Sequence, residues 1–516
     1  MKKYLSFLVL LISCFTLVSC KEEESVRVLR VYNWQDYIDD GVDTDTAHML
    51  DDFKNYYFET YGEKIEVTYD TFETNESMFN TLKTGKTTYD LVCPSEYMIM
   101  RMLKNDMLIP FEADSTPVYN QYASKYIQNV FKNVNVDENY TLADYAKCYM
   151  WGTLGLVYDP EYVSEEDMKS WDVMWDPKYE GMVSTKDSIR DTYVVGVMHT
   201  YKSELVELKS QYESGELTDE EYNSKVNQIM NRCDDDTIKK VLSSLQDLKD
   251  NLFGFEVDSG KTDIVNGKIR MNLAWSGDAV YSMQLAEEED DKILAYAVPE
   301  EGSNIWFDGW VMPKGADTEL ACAFVDFVSK PENAARNMNY IGYTSAIAGQ
   351  EVFDTMVDWY DETEVDPVEE GLIPYDLSYF FEGTLDEGVD AIIWTTSLNG
   401  QLYTQYPDLE TVNRCAVMQD FGSQNNEIIE MWSSVKATDL PMWFTITFFV
   451  VVLVLIIFAI IYSISKKKPQ GKVKRRSTKK VKCKIRKVKP YVVKLTRLKS
   501  NFRGKSSIIR KTKKGN

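Results

Sequence analysis

The early part of the chain alternates between strand-like and helix-like patterns of apolar residues. Residues 28–34 (VLRVYNW), 64–72 (KIEVTYDTF) and 89–95 (YDLVCPS) are rich in β-branched and aromatic residues and predict three strands. Apolar residues recur at four-residue spacing within residues 46–61, which predicts a helix that ends at Gly62. Strand–helix–strand order predicts a parallel α/β sheet, and such sheets bind ligands at the carboxyl ends of their strands.

A second structural unit is predicted to begin at residues 150–160 (MWGTLGLVYDP). Residues 203–252 are charged and periodic, which predicts solvent-facing helices, and Thr218 before DEEY is a candidate helix N-cap. Residues 268–284 (KIRMNLAWSGDAVYSMQ) again follow the order strand, turn, helix. The same architecture therefore continues through the second unit.

Two apolar segments stand apart from this pattern. Residues 1–19 place an apolar run after two lysines, and the run ends in small residues before Cys20, which is typical of a lipoprotein signal peptide with Cys20 as the lipidated residue. The 23 uncharged residues from 442 to 464 are long enough, at roughly 35 Å, to form a transmembrane helix. A buried core helix is the weaker alternative, because basic residues follow at once. The positive-inside rule places residues 465–516 in the cytoplasm and residues 20–441 outside.

The formal net charge of −25 combines two parts of opposite sign. From Ser465 to Asn516 there are 23 Lys and Arg and no Asp or Glu, so positions 4–464 hold 32 basic residues against all 82 acidic ones. A main body with a charge of about −50 would repel phosphate, which argues against nucleic acid as its partner. This charge suits a cationic ligand, although solubility alone is an equal explanation.

The cysteines and histidines give no sign of a metal centre. Five cysteines lie outside the signal and the tail, none of them in a CxxC motif, and the chain has only two histidines. This spacing predicts neither a zinc site nor a disulfide framework, and it favours mostly buried free cysteines. GxSxG, HExxH and P-loop motifs are missing from the sequence, so we predict no catalytic residue, no metal and no cofactor.

The stretch SNIWFDGWVMP, residues 303–313, combines Trp306, Trp310, a phenylalanine and Asp308 within five positions. Glycine and proline flank it, which favours a loop. In an ordinary core Asp308 would be buried without a partner, whereas an organic ammonium ion is attracted both by an indole face and by a carboxylate.

Further aromatic and acidic residues recur at predicted strand ends. Taken singly, each is more typical of packing or of a solvated helix cap than of a ligand contact. Taken together, they place rings and carboxylates at one edge of the sheet. These residues are Trp34, Tyr37, Tyr97, Asp187, Asp191, Trp275 and Tyr343.

The chain resembles the extracytoplasmic spermidine/putrescine-binding proteins of bacterial polyamine ABC transporters. The resemblance covers roughly residues 28–436 and rests on LRVYNWQDYIDDG, TYDTFETNESMFNTLKTGKTTYDLVCPSEYMIMRM, YMWGTLGLVYDP, WDPKYEGMV, AWSGDA, NIWFDGWVMPKGA and YIGYTSA, in the family's order. It implies no enzymatic activity.

The resemblance also implies a set of ligand-binding residues. Asp308 would hold an ammonium group, Asp191 replaces a family glutamate, and the family's other acid in that segment falls at Asp187 or Ser188. Ser95 and Gln419 would be polar contacts. The implied aromatic box consists of Trp34, Tyr37, Tyr97, Trp275, Trp306 and Tyr343.

The fold implied by the resemblance is a two-lobed α/β periplasmic-binding-protein fold of type II with a hinge, here followed by a transmembrane helix. Residues 20–27 would be a tether, residues 28–145 and 307–352 the N-terminal lobe, and residues 146–306 and 353–436 the C-terminal lobe. The implied partners are a polyamine, an ABC permease with its ATPase, and the membrane. Another small solute, either ferric ion or a different cationic amine, remains the alternative ligand, and an enzyme is the least favoured class.

Overall fold

The computed structural model describes residues 26–39, 48–134, 141–290, 292–437 and 442–465. The predicted signal peptide, Cys20 and residues 466–516 of the basic tail lie outside the described residues. Contacts divide the chain into two units, Met1–Ala437 and Thr438–Asn516.

The two longest strands, of 13 and 11 residues, lie in the middle of the sheet. In chain order, the strands are β1 Arg27–Trp34, β2 Ile65–Phe72, β3 Leu91–Val92, β4 Leu108–Ile109, β5 Ala146–Tyr158, β6 Val183–Lys186, β7 Leu252–Glu256, β8 Met271–Trp275, β9 Ala295–Ala297, β10 Ser303–Pro313, β11 Thr344–Ser345, β12 Ile373–Asp376, β13 Ile392–Thr395 and β14 Cys415–Ala416.

Helices fill most of the connections between these strands. The α-helices are Met49–Tyr61, Asn75–Thr84, Glu96–Lys104, Pro117–Tyr122, Lys125–Asn133, Leu142–Tyr145, Ile189–Thr200, Lys202–Glu213, Asp219–Met230, Asp235–Asn251, Gly260–Val265, Ser276–Asp290, Thr318–Val328, Pro331–Ile341, Gln350–Tyr360, Ser378–Phe381, Gln401–Gln405, Leu409–Asn413, Asn425–Lys436 and Met442–Ser465.

The main sheet contains two parallel parts joined by antiparallel strands. Its order is β2-β1-β3-β10-β5-β8-β6-β7, and β4, β9, β11 and β14 pair at the sides of β5 and β10. Strand β1 is parallel to β2 and β3, and β6 is parallel to β7 and β8. Strand β10 is antiparallel to β3 and β5, and β5 is antiparallel to β8. The long strands β5 and β10 therefore connect the two parallel parts.

Two clusters of buried apolar side chains form the core. The larger surrounds β1 to β3 and contains Phe53 and Trp310, and the smaller contains Trp171. Residues 353–436 contribute to both clusters, and the predicted division of the chain into lobes stays a prediction. Tyr97 and Trp275 pack against both clusters, so they mark the place where the two cores meet.

Several local predictions agree with the structure. Strands β1 and β2 begin within one residue of their predicted first residues. Gly62 ends its helix in the left-handed region with a φ of 74°. Thr218 caps its helix, because its hydroxyl accepts from the backbone N–H of Glu221 in a capping box. The five cysteines between the predicted signal and tail are free, and all but Cys233 are buried.

The prediction of a loop at residues 303–313 is wrong. These residues form strand β10, and the strand is buried along almost its whole length. A strand that is buried on both faces has a continuous run of apolar residues in place of an alternation of apolar and polar residues. Its sequence therefore lacks the two-residue period by which a half-exposed strand is recognised.

A 24-residue helix, Met442–Ser465, forms over the predicted transmembrane segment. Side chains are described for residue 447 and for residues 449–462 of this helix. Judged over the residues described in this way, no helix of the chain is long and apolar enough to cross a membrane.

Candidate functional site

Asp308 lies in the middle of β10 and accepts hydrogen bonds on both carboxylate oxygens. The Tyr37 hydroxyl donates to Oδ2 at 2.9 Å, and the Ser95 hydroxyl donates to Oδ1 at 2.7 Å. Asp308 is 7% exposed, and within the described ranges no lysine or arginine forms an ion pair with it. Its hydrogen-bond partners are therefore neutral, and no lysine or arginine among the described residues pairs with its negative charge.

Burial raises the pKa of Asp308 to about 6, although the two hydroxyl hydrogen bonds oppose that rise. Burial also raises the pKa of Tyr37 well above its ordinary value, so this hydroxyl keeps its proton and acts as a donor. A cation placed beside Asp308 would favour the ionised carboxylate and lower its pKa again.

Local chain geometry explains how Tyr37 and Ser95 reach Asp308. Tyr37 follows β1 after a turn in which Asp36 has a φ of 53°. Ser95 follows β3 and pairs with Asp308 in an isolated antiparallel bridge. Asn75 then fixes the loop after β3, because its amide donates to the Ser95 hydroxyl and to the Tyr97 hydroxyl, both at 3.0 Å.

Three aromatic rings form a connected group next to Asp308. The Tyr37 and Tyr343 ring centroids are 5.5 Å apart, and those of Trp306 and Tyr343 are 5.6 Å apart. A Cβ atom at Gly277 would lie 2.3 Å from the Tyr343 ring, and one at Gly152 would lie 2.7 Å from the Trp306 ring. Both glycines therefore leave space that these rings occupy.

The second parallel part of the sheet brings Trp275 and Asp191 together. Trp275 ends β8, and its indole N–H donates to Asp191 Oδ1 at 3.3 Å. Asp191 is buried near the start of the helix Ile189–Thr200, and burial raises its pKa. Asp308 and Asp191 raise the cost of each other's charge, since the Asp191 carboxylate contributes to the raised pKa of Asp308.

Tyr97 meets a basic residue that the sequence did not single out. The Arg190 guanidinium lies 4.3 Å from the Tyr97 ring centroid and 3.8 Å from that of Phe421. Arg190 also donates to the backbone carbonyl of Gln419. The Gln419 side chain is exposed and donates instead to Asn227 at 3.0 Å. Gln419 thus reaches the group only through its backbone.

Two other predicted site residues have different surroundings. The Trp34 ring packs against Phe72 at 4.5 Å, and its buried indole N–H has no hydrogen-bond partner among the described residues. The Asp187 carboxylate is 30% exposed and forms an ion pair with Lys436. The negative charge of Asp187 is therefore compensated by Lys436 at the surface. The neighbouring candidate, Ser188, caps the helix that carries Asp191.

Sequence reasoning missed a buried charge cluster in the same region. Lys186, at the end of β6, lies between Asp278 Oδ2 at 3.0 Å and Glu256 Oε1 at 2.9 Å. The Lys186 ammonium is 4.5 Å from the Trp275 ring centroid, and the Tyr343 hydroxyl donates to Asp278 at 2.9 Å. Asp278 stands in the quoted motif AWSGDA, which was the one signal for it in the sequence.

Glu96 is a second buried acid that the sequence did not reveal. It accepts from the backbone N–H of Phe307 at 3.0 Å, one residue before Asp308. Burial raises its pKa to about 8. Glu96 is therefore largely protonated at neutral pH and adds little negative charge beside Asp308.

Most of these groups lie at or just after the carboxyl ends of the parallel strands β1, β3, β6, β7 and β8 or on β10 between them, and Tyr343 directly precedes β11. A surface cavity of about 490 Å³ lies elsewhere, beside Trp175 and His199, and is lined by none of the predicted residues. We consider the strand-end group the candidate site, because ligands of such sheets bind at strand ends and because, among the described residues, its buried acids Asp191 and Asp308 form no ion pair with a lysine or arginine. Within the described residues, no cluster of three or more His, Cys, Asp or Glu could hold a metal ion.

An α/β sheet with aromatic and acidic groups at its strand ends is the arrangement expected of a solute-binding protein. The profile described as bacterial extracellular solute-binding protein matches residues 49–359, and the chain belongs to this family. Membership confirms the prediction that the chain is not an enzyme.

Curated relatives agree with the resemblance found in the sequence. The spermidine/putrescine-binding periplasmic protein of Escherichia coli (strain K12) is 24% identical over 63% of this chain and 79% of its own. The putrescine-binding periplasmic protein SpuD of Pseudomonas aeruginosa (strain UCBPP-PA14) is 27% identical over 62% of this chain and 79% of its own.

Solved structures confirm the periplasmic-binding-protein fold. The spermidine/putrescine ABC transporter substrate-binding protein PotD of Streptococcus pneumoniae has a TM-score of 0.52 at 24% identity and covers 80% of this chain and 98% of its own. The TpPotD lipoprotein of Treponema pallidum has a TM-score of 0.54 at 17% identity, and the match covers 79% of this chain and 99% of that chain.

Proposed function

We propose that the chain is the polyamine-binding component of an ABC importer and that it captures its ligand at the strand-end group. The observation that carries this proposal is Asp308, a buried carboxylate with neutral hydroxyl partners beside three aromatic rings. Such a site attracts an organic cation, because a buried charge is costly until an opposite charge pairs with it.

The two ends of a polyamine would be recognised in the same way. Asp308 would hold one ammonium group, with Ser95 and Tyr37 orienting the carboxylate, and Asp191 would hold another beside Trp275. Tyr37, Trp306 and Tyr343 would cover the methylene groups. A ring face attracts an ammonium group by about 0.5–2 kcal/mol, and the apolar spacer gains from burial.

The names of the relatives support the ligand class. The Escherichia coli protein is named for spermidine and putrescine, and the Pseudomonas aeruginosa protein is named for putrescine. A binding component of this kind would deliver its ligand to a permease driven by an ATPase. Closure of two lobes around a hinge, with the lobe boundaries predicted above, would present the loaded protein to that permease.

We also propose that the binding part is held at the outer face of the cell membrane. Lipidation of Cys20 would anchor the N-terminal end, and the helix from 442 to 464 would span the bilayer with the basic tail in the cytoplasm. The full uncharged run of the sequence, which is longer than the part whose side chains the structure describes, and the charges that follow it support this topology. Attraction to anionic lipid is the simplest role for the tail.

Isothermal titration calorimetry on the full-length protein in detergent tests the ligand class. Putrescine and spermidine should bind, whereas neutral amino acids and Fe³⁺ should not. Binding of Fe³⁺ or of an amino acid with no response to either polyamine would overturn the proposal.

A further inference from the structure

The buried cluster around Lys186 repeats, with the protein's own atoms, the arrangement proposed for a ligand ammonium. The Lys186 ammonium is held by Asp278 and Glu256 and faces the Trp275 ring at 4.5 Å. Lys186 is only 1% exposed. A cation between carboxylates and against an indole face is the same chemistry that recognises an organic amine.

This cluster belongs to the candidate site and not to a remote part of the core. Trp275 also donates to Asp191, and Tyr343 donates to Asp278 while its ring contacts Tyr37 and Trp306. Trp275 thus contacts both the Lys186 cluster and Asp191, and Tyr343 connects the cluster to Tyr37, whose hydroxyl donates to Asp308. Asp278 is therefore a third acid of the site, next to Asp191 and Asp308.

The three acids differ in what neutralises them. Asp278 has Lys186 at 3.0 Å and Lys261 at 3.7 Å, whereas within the described residues neither Asp191 nor Asp308 forms an ion pair with a lysine or arginine. The attraction of Lys186 keeps the pKa of Asp278 below its ordinary value in spite of burial. Two carboxylates are consequently left for cations that come from outside.

We propose that Lys186 fills one ammonium position of the site with a built-in cation, so that the site accepts ligands with two cationic centres and discriminates against those with three. This inference rests on the proposed function and names its ligand class as diamines. A third ammonium group would meet the positive charge of Lys186 instead of a free carboxylate, and like charges in a buried site repel strongly.

Two charge-balanced double variants test this role of Lys186. Both replace the lysine with methionine, which has a similar volume, and each neutralises one of its two acids. K186M/E256Q removes the nearer cation from the Asp278 carboxylate and leaves only Lys261 at 3.7 Å, whereas K186M/D278N removes the carboxylate itself. In both variants the amide oxygen can still accept the hydrogen bond that the acid accepts now, from the backbone N–H of Gly260 or from the Tyr343 hydroxyl.

The experiment measures the Kd of putrescine and of spermidine by calorimetry on full-length wild type and both variants, with folding checked by thermal unfolding. We expect wild type to bind putrescine more tightly than spermidine. K186M/E256Q should shift the ratio of the two Kd values toward spermidine by about tenfold or more, as expected for one new charge-assisted contact. K186M/D278N should shift it much less.

Equal shifts in the two variants, or no shift in either, would overturn the role of Lys186. Tighter binding of spermidine than putrescine by wild type would overturn it as well, and that measurement needs no folded variant. Wild type that binds neither amine would overturn the proposed function itself, so the two failures are distinguishable.

Discussion

Replacing Asp308 with asparagine removes one negative charge from the candidate site and keeps the shape of the side chain. The asparagine oxygen can still accept a hydrogen bond from Tyr37 or Ser95. Removal of one partner from a buried charge pair costs roughly 2–5 kcal/mol. The Kd for putrescine should therefore rise by about one and a half to three and a half decades, at ~1.4 kcal/mol per decade.

The empty protein should respond in the opposite direction. Burial raises the pKa of Asp308 to about 6 from its ordinary value of 3.8, which corresponds to ~3 kcal/mol of folding free energy lost when the carboxylate is ionised. This loss is complete above the folded-state pKa of about 6 and disappears as the pH falls below 3.8. At pH 8 the free energy of unfolding of Asp308→Asn should thus exceed that of the parent by up to ~3 kcal/mol, and the difference should shrink toward pH 4.

Calorimetry with putrescine and urea unfolding at pH 8 and pH 5 measure the two effects. Asp187→Asn is the matched control, because Asp187 is partly exposed and paired with Lys436, and its change should leave binding within about twofold of the parent. Unchanged putrescine binding by Asp308→Asn, or a loss of its stability at pH 8 without ligand, would refute the reasoning. In either case Asp308 would have a structural partner and not a ligand.

Four further results are expected. Trp306→Ala should weaken binding and also reduce the free energy of unfolding by about 3–5 kcal/mol, because the ring is buried; a variant of normal stability would contradict this. Putrescine affinity of the parent should fall below about pH 6, where Asp308 becomes protonated, by at most about tenfold per pH unit for this group, and Asp308→Asn should lack this part of the pH profile. Mass spectrometry should find an acylated Cys20 at the mature N-terminus, and an N-terminus at Met1 would exclude lipidation. Protease added to spheroplasts should digest residues 21–441 and spare the tail, whereas the reverse pattern would invert the topology.

Strand ends were the part of the site that the sequence could predict. Each predicted strand is identified by local composition, and the residue after its last apolar position necessarily lies at the carboxyl edge of the sheet. Tyr37, Ser95 and Trp275 were placed correctly at that edge on this basis. The partners of Asp308 were not predictable in this way, because Tyr37 and Ser95 lie 271 and 213 positions away in the chain.

Lys186 and Asp187 show why the charged residues were harder to assign. Side chains alternate between the two faces along extended chain, so neighbouring residues at the end of β6 point to opposite sides. Lys186 points to Asp278 and Glu256, and Asp187 reaches Lys436 at the surface. The sequence alone does not show whether Lys186 or Asp187 points toward the site. Both residues are polar, and their partners are 70 or more positions away in the chain.

The large negative charge of the main body and the few buried acids act on a cationic ligand in different ways. Exposed carboxylates attract a cation over a distance of about one Debye length, roughly 8 Å at physiological salt, and they affect mainly the rate of association. They cannot distinguish a diamine from a triamine, because the field of many exposed charges depends little on where the ligand charges lie. Asp191, Asp278 and Asp308 are buried among rings, where a pair forms only if the spacing matches. Selectivity therefore depends on which of these three acids already has a cation, and in this structure that acid is Asp278.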